Sequence, residues 1–183
     1  MFKAWPKIPR LENEVYHITE KIDGTNGAII IQPYEDTCLA AESFNGVTYG
    51  VWAQSRTRLI TPENDNFGFA KWVKENAERL IQDIGVGYHY GEWWGRGINR
   101  GYGLDERRFS LFNPTKYSAI CSHVPLLGSY KAYEQDDVLN SLDYYEDMLK
   151  LKGSYAAPGY MRPEGLVIYA EKAKTYWKVI IDK

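Results

Sequence analysis

The chain is poor in the residues that staple small domains or hold structural metals, with only 2 cysteines and 3 histidines among 183 residues. Cys38 and Cys121 lie far apart, with no Cys-x-x-Cys and no paired histidines nearby, so neither a disulfide framework nor a zinc site is indicated. No apolar run approaches the roughly 18 to 20 residues that span a bilayer. The opening Met1-Phe2-Lys3-Ala4-Trp5-Pro6 carries no signal-peptide core. Charge of one sign is also lacking: 22 Lys and Arg face 24 Asp and Glu. That balance argues neither for nor against nucleic acid, because local basic patches coexist with a mildly acidic total. Together these absences lead us to expect an intracellular, cytoplasmic globular protein with no membrane partner. Without a repeat, a low-complexity segment or a linker, one domain over residues 1–183 is expected, long enough for a real core.

Aromatic residues are plentiful, at 6 Trp, 15 Tyr and 6 Phe. Most such rings pack cores and sheets, but this many also leave flat faces free for stacking.

The polar stretch Glu20-Lys21-Ile22-Asp23-Gly24-Thr25-Asn26-Gly27 stands between two strand-like runs, the alternating Val15 to Thr19 and the apolar Ala28 to Gln32. A lysine amine that has lost its proton can attack an electrophilic phosphorus and form a covalent intermediate. Lys-x-Asp-Gly alone is a weak signal, more readily read as a solvated turn with a surface lysine. Downstream, the chain turns near Pro33 to Asp36, returns to Ala41, and runs through a strand from Tyr49 to Ser55 into Arg56 and Arg58. Phe69, Val73, Ala77, Leu80 and Ile84 recur at helical spacing as one apolar stripe after a loop from Thr61 to Asn66. Val86 to Trp94 is a strand candidate ending at Glu92 among indoles. The Gly95 to Gly103 segment fits neither Gly-x-Gly-x-x-Gly nor a Walker pattern, so we expect a flexible basic loop with Arg96 and Arg100 either solvated, the favoured reading, or available to phosphates. Arg107 to Asn113 alternates as a strand and stops at Pro114. A second helix is expected from about Asp136 to Lys150, with Val138, Leu142, Tyr145 and Leu149 inward. Glu164 to Tyr169 and Thr175 to Ile181 form a hairpin pattern.

The strand-end residues Lys21, Arg56, Glu92, Glu164 and Lys178 have the chemical types needed to handle a nucleoside triphosphate. Their order resembles the covalent nucleotidyltransferase superfamily of ATP-dependent RNA ligases, DNA ligases and mRNA capping enzymes. Glu20 to Asn26 is similar to motif I, and Ser55-Arg56-Thr57-Arg58 with Asp65 to Trp72 is similar to a segment of phage-type RNA ligases. Tyr90 to Gly95 resembles motif III, Arg108 to Asn113 motif IIIa, and Glu164-Gly165-Leu166-Val167 motif IV. Motif V departs from the pattern: of Lys-x-Lys, Tyr176-Trp177-Lys178 keeps only the second lysine, with Lys174 offset and Arg58 or Lys172 as substitutes.

The resemblance implies an α+β nucleotidyltransferase (ligase adenylation domain) fold, ATP-grasp-like, with antiparallel sheets and flanking helices, and with no room for the OB-fold domain that carries motif VI. It implies an ATP-dependent RNA ligase in which Lys21 becomes adenylylated, assisted by Lys178 and by Mg²⁺ or Mn²⁺ held on Glu164. Glu92 would fix the ribose, Phe112 would stack on adenine, and Arg56 would contact ribose or the acceptor phosphate. Glu20, Asp23, Gly24 and Asn26 complete the nucleotide-binding set. The implied partner is RNA with 5′-phosphate and 3′-hydroxyl ends, handled by a monomer, as in phage repair ligases, with an accessory protein or domain as an option. Alternatives are a minimal DNA ligase, a guanylyltransferase, and a degenerate homologue that binds nucleotide or RNA without sealing.

Overall fold

Strand β1 (Val15–Lys21) alternates around Ile18, and its pairing decides which side chains stand beside Lys21. The computed structural model describes residues 14–114, 118–131 and 135–181, so the Met1 to Pro6 entry and the Val138 side chain lie outside the described residues. The described chain forms two compact units, one from residues 14–21 and 125–181, the other Ile22–Val124.

In the first unit β1 is flanked by β9 (Leu126–Lys131) and β10 (Gly165–Ala170), and β11 (Thr175–Ile180) closes the edge, in the order β11-β10-β1-β9 with every pair antiparallel. Period-two alternation sends Ile18 and Leu166 to one face, where Leu149 of α3 (Gln135–Lys152) covers them. All three are fully buried, each contributing about 1.5–3 kcal/mol. Leu142 and Tyr145 pack partly against this core, as the helical spacing predicts.

Glu14, 4% exposed, precedes β1 and accepts hydrogen bonds from the backbone N–H groups of Lys172 at 2.7 Å, Ala173 at 2.8 Å and Val15 at 3.0 Å. It thereby ties the β10–β11 turn to the start of β1. Burial pushes its pKa up, but those N–H groups and the Lys172 charge outweigh burial, and the net shift is downward. A depressed carboxylate stabilises the fold above its unfolded pKa of about 4.3, and the contribution disappears as pH falls through the folded value. Glu14→Gln is therefore expected to cost about 1–2 kcal/mol at neutral pH. Its melting temperature should also fall less steeply than the wild type's below about pH 4.5, which a pH series of thermal melts reads directly.

In the second unit β2 (Thr25–Pro33) lies between β4 (Val47–Ser55) and β6 (Gly87–Gly95), in the order β3-β4-β2-β6-β7-β8. Here β3 is Ala40–Phe44, β7 is Arg107–Leu111 and β8 is Ser122–His123, while the short β5 (Leu59–Ile60) pairs with β4. Among the described strands only β7 and β8 pair in parallel. One face, carrying Ile29, Ile31, Val51 and Ala53, packs with α1 (Phe69–Glu75) and α2 (Ala77–Ile84). All five residues of the expected stripe are buried, but the helix is interrupted at Asn76 (φ −112°, ψ 13°), whose side-chain amide donates to the Trp72 carbonyl at 2.8 Å. That bond offers the backbone an alternative to continuing the helix. Asp65 accepts from the N–H groups of Ala70 (2.7 Å) and Lys71 (3.0 Å), satisfying donors in the first turn of α1.

Candidate functional site

Lys21 ends β1 opposite Gly165, and Glu164 precedes Gly165, so antiparallel register brings the lysine to the carboxylate across 143 residues of sequence. Lys21 Nζ donates to Glu164 Oε2 at 2.6 Å, and both side chains are only partly exposed, at 23% and 15%. Gly165 is paired with Ile180 on its other side, and Lys178 stands opposite Val167, two residues along the same face from that row. Lys21 and Lys178 thus project from one face of the sheet. Lys178 is exposed, with no carboxylate at ion-pair distance among the described residues.

The neighbouring Glu20 goes the other way. Alternation turns it to the α3 face, where it is 1% exposed and accepts from Ser154 Oγ (2.5 Å) and from the backbone N–H groups of Tyr155 (2.8 Å) and Ala156 (2.9 Å). Burial raises its pKa, partly offset by the Ser154 hydroxyl and those two N–H groups. Its carboxylate braces the loop that follows α3.

In the second unit Glu92, 7% exposed, accepts from Gly24 N at 3.1 Å and from Asn26 Nδ2 at 2.9 Å, directly across the β2–β6 ladder. Gly24 is required by close approach, since a Cβ there would stand 2.5 Å from the Trp93 carbonyl oxygen. The Gly95 to Gly103 segment, expected to be flexible with solvated arginines, instead clamps this turn. Asn99 Nδ2 donates to Asp23 Oδ1 (2.9 Å) and to the Gly24 carbonyl (2.7 Å), and Arg100 Nε donates to Asp23 Oδ2 (2.9 Å). The hydroxyl of Tyr102 accepts from Asp23 N at 2.8 Å. Asn99 (φ 44°) and Tyr102 (φ 52°) adopt left-handed backbone to do this. Arg96 alone follows expectation, with a long 3.5 Å contact to the Asp105 carbonyl. Sequence reasoning missed Asn99, Arg100 and Tyr102 because nothing in their spacing points back to Asp23; an Asn among closely spaced glycines was the available signal.

Glu92 and Asn26 share a face of the sheet with Phe112, which is 40% exposed and donates its backbone N–H to the Tyr90 carbonyl at 2.9 Å. Arg56 leaves β4 just after Ser55, the partner of Gly27, and is exposed. A carboxylate, an amide and an aromatic face on one side of one sheet, with an exposed guanidinium just past the end of β4, are the chemical types that take up a ribose, a base and a phosphate.

A family model described as RNA ligase matches residues 14–180. The chain belongs to the RNA ligase family. No curated protein matches the sequence. Among solved structures, a Naegleria gruberi RNA ligase mutant with ATP and Mn is similar at 15% identity and TM-score 0.50, covering 93% of this chain and 50% of that one. A second mutant of that ligase with ATP and Mn gives the same values. The likeness is one of fold, the mixed α+β ligase arrangement with mostly antiparallel sheets, and the chain spans about half the length of those structures.

The donors fit a divalent cation of one kind. Among the described residues no cluster of three or more His, Cys, Asp or Glu forms a protein cage. The single carboxylate of Glu164 suits an ion such as Mg²⁺ or Mn²⁺ that takes its remaining ligands from phosphates and water. No helix among the described residues is long and apolar enough to cross a membrane.

Proposed function

We propose that this chain is an ATP-dependent RNA ligase whose nucleophile is Lys21, the reading carried by the Lys21–Glu164 contact of 2.6 Å in a chain matched by the RNA ligase family over residues 14–180. The neutral Lys21 amine attacks the α-phosphorus of ATP; a P–N bond forms while the P–O bond to pyrophosphate breaks, and the amine proton passes to solvent. An RNA 5′-phosphate oxygen then attacks the same phosphorus, breaking the P–N bond and restoring the lysine. A 3′-hydroxyl attacks the activated 5′-phosphate, the new phosphodiester forms, and AMP leaves with the bonding electrons.

Glu164 orients the amine before attack and would hold a divalent ion. Such an ion would supply positive charge that offsets the phosphate charge. Lys178, free of an ion-pair partner among the described residues, adds charge for the transferring phosphoryl group. Glu92 and Asn26 receive the ribose, with Asp23 and Gly24 shaping their turn. Phe112 stacks on adenine, and Arg56 contacts the ribose or the acceptor phosphate. Glu20 supports Lys21 from behind without touching nucleotide. We take both units to serve one adenylyltransferase module, working in the cytoplasm as a monomer on RNA ends.

The test is joining of a 5′-phosphorylated RNA strand to a 3′-hydroxyl strand by the purified chain with ATP and Mg²⁺, beside DNA and hybrid substrates and beside GTP. Joined RNA supports the reading, and a preference for DNA or GTP replaces it with the DNA ligase or guanylyltransferase alternative. Adenylylated RNA without joined product assigns sealing to an accessory partner. Nucleotide binding with no adduct on the protein makes the chain a binding homologue.

A further inference from the structure

On the Lys21 face of the β11-β10-β1-β9 sheet, one row of the ladder is built almost entirely of rings. Register places Ser129, His17, Tyr169 and Tyr176 side by side across the strands. The His17 ring lies 6.2 Å from that of Tyr169 at an interplanar angle of 21°, and Tyr169 lies 4.6 Å from Tyr176 at 24°. At the inner end the stack is fastened, because His17 is hydrogen-bonded through Nδ1 to Ser129 Oγ (2.8 Å) and through Nε2 to Glu171 Oε2 (3.2 Å). At the outer end it stops on Tyr176, which is 63% exposed on the edge strand β11. The stack has a fixed base and an open last face.

Two residues along β11 from Tyr176, Lys178 projects from the same face, and two residues further Ile180 stands in the row of Gly165 and Lys21. At about 3.3 Å per residue, the open ring lies roughly 13 Å from the Lys21 row, with a cation half-way. The β10–β11 turn adds Lys172 and Lys174 beside the Tyr169–Tyr176 pair, with the Glu171 carboxylate 3.6 Å from Lys172 Nζ and Glu14 bound to the backbone of the same turn. Aromatic face, cation and nucleophile in that order match the repeat of a single strand, whose bases stack on rings while its phosphates meet lysines.

We propose that Tyr176 is a stacking platform for a base of single-stranded RNA a few nucleotides behind the 5′-phosphate presented to Lys21, with Lys178 meeting the intervening backbone. The inference rests on the ligase reading above and adds to it the grip on the strand. It also gives a role to the departure in motif V, where an aromatic ring stands at the place of the first lysine.

Binding of 5′-phosphorylated probes to the wild type, Tyr176→Ala and Tyr176→Phe tests this, with each variant's melting temperature as the folding control. Against a single-stranded RNA of about ten nucleotides, Tyr176→Ala should bind roughly 5- to 150-fold more weakly, the range that loss of one stacked base produces. Tyr176→Phe should bind within about twofold of the wild type, since the ring is kept. A 5′-phosphorylated mononucleotide, too short to reach the stack, should bind all three alike. Equal oligonucleotide binding by wild type and Tyr176→Ala overturns the proposal, as does an equal loss for the mononucleotide, or a change in self-association with RNA affinity unchanged. Formation of the AMP adduct by the wild type is scored separately, so failure of the ligase reading and failure of the platform are told apart.

Discussion

Lys21→Ala is expected to abolish covalent adenylylation. Wild-type protein, first treated with pyrophosphate to strip any preloaded AMP, should gain the mass of one AMP on incubation with ATP and Mg²⁺, and the alanine variant should gain none. Lys21→Arg should fail equally, because a guanidinium stays protonated and offers no lone pair. The loss is all-or-none because, among the described residues, no other amine is hydrogen-bonded to Glu164 at the end of β1. Truncation leaves the 15%-exposed Glu164 carboxylate without its 2.6 Å partner. A cost on the order of 1–3 kcal/mol should therefore appear in thermal melts while the chain stays folded. An AMP adduct on Lys21→Ala of unchanged yield would remove Lys21 from the mechanism.

Gly165→Ala should do comparable damage without touching a charged group. Gly165 sits at φ +155°, and a Cβ there would overlap the Val179 carbonyl oxygen in the adjacent strand. The residue is the centre of a three-strand row, with Lys21 on one side and Ile180 on the other. Backbone strain and overlap together should cost about 2–5 kcal/mol, or roughly 5–15 °C of melting temperature for a chain of this size. If β11 moves away to relieve the overlap, Lys178 moves with it and Glu164 loses its place beside Lys21. The adduct should then form at least about tenfold more slowly, as a small displacement of a reacting group suffices for that. Intact-mass time courses beside melting curves check both effects, and an alanine variant with wild-type values in both would show that the row tolerates a side chain.

Both predictions concern residues that ordinary sequence reasoning finds, whereas the brace at Glu20 was beyond it. Glu-Lys in motif I places two polar residues side by side in the chain, but a strand sends neighbours to opposite faces. The strand continues through Lys21, so Glu20 is committed to the α3 side and to Ser154, 134 residues away. Similarly, Arg100 looked like a solvated loop residue until the fold put Asp23 beside it, 77 positions back.

Local pattern by itself determined much of this protein. Alternation and apolar runs located β1, β2, β4, β6, β7 and the β10–β11 hairpin, and helical spacing located the buried side of α1, α2 and α3. Those signals persist in a linear string because burial periodicity and chemical type belong to neighbouring residues. The two-residue β5 and β8 and the mixed-polarity β9 escaped, since such strands owe their existence to the partner that completes their hydrogen bonds. Only tertiary structure decided the rest: that Lys21 meets Glu164, that Glu20 turns inward, that the Gly95 to Gly103 segment clamps Asp23, and that His17, Tyr169 and Tyr176 form one stack. Each of these depends on cross-strand register or on a contact between distant segments, and register is set by which faces are buried together, a property of the assembled sheet.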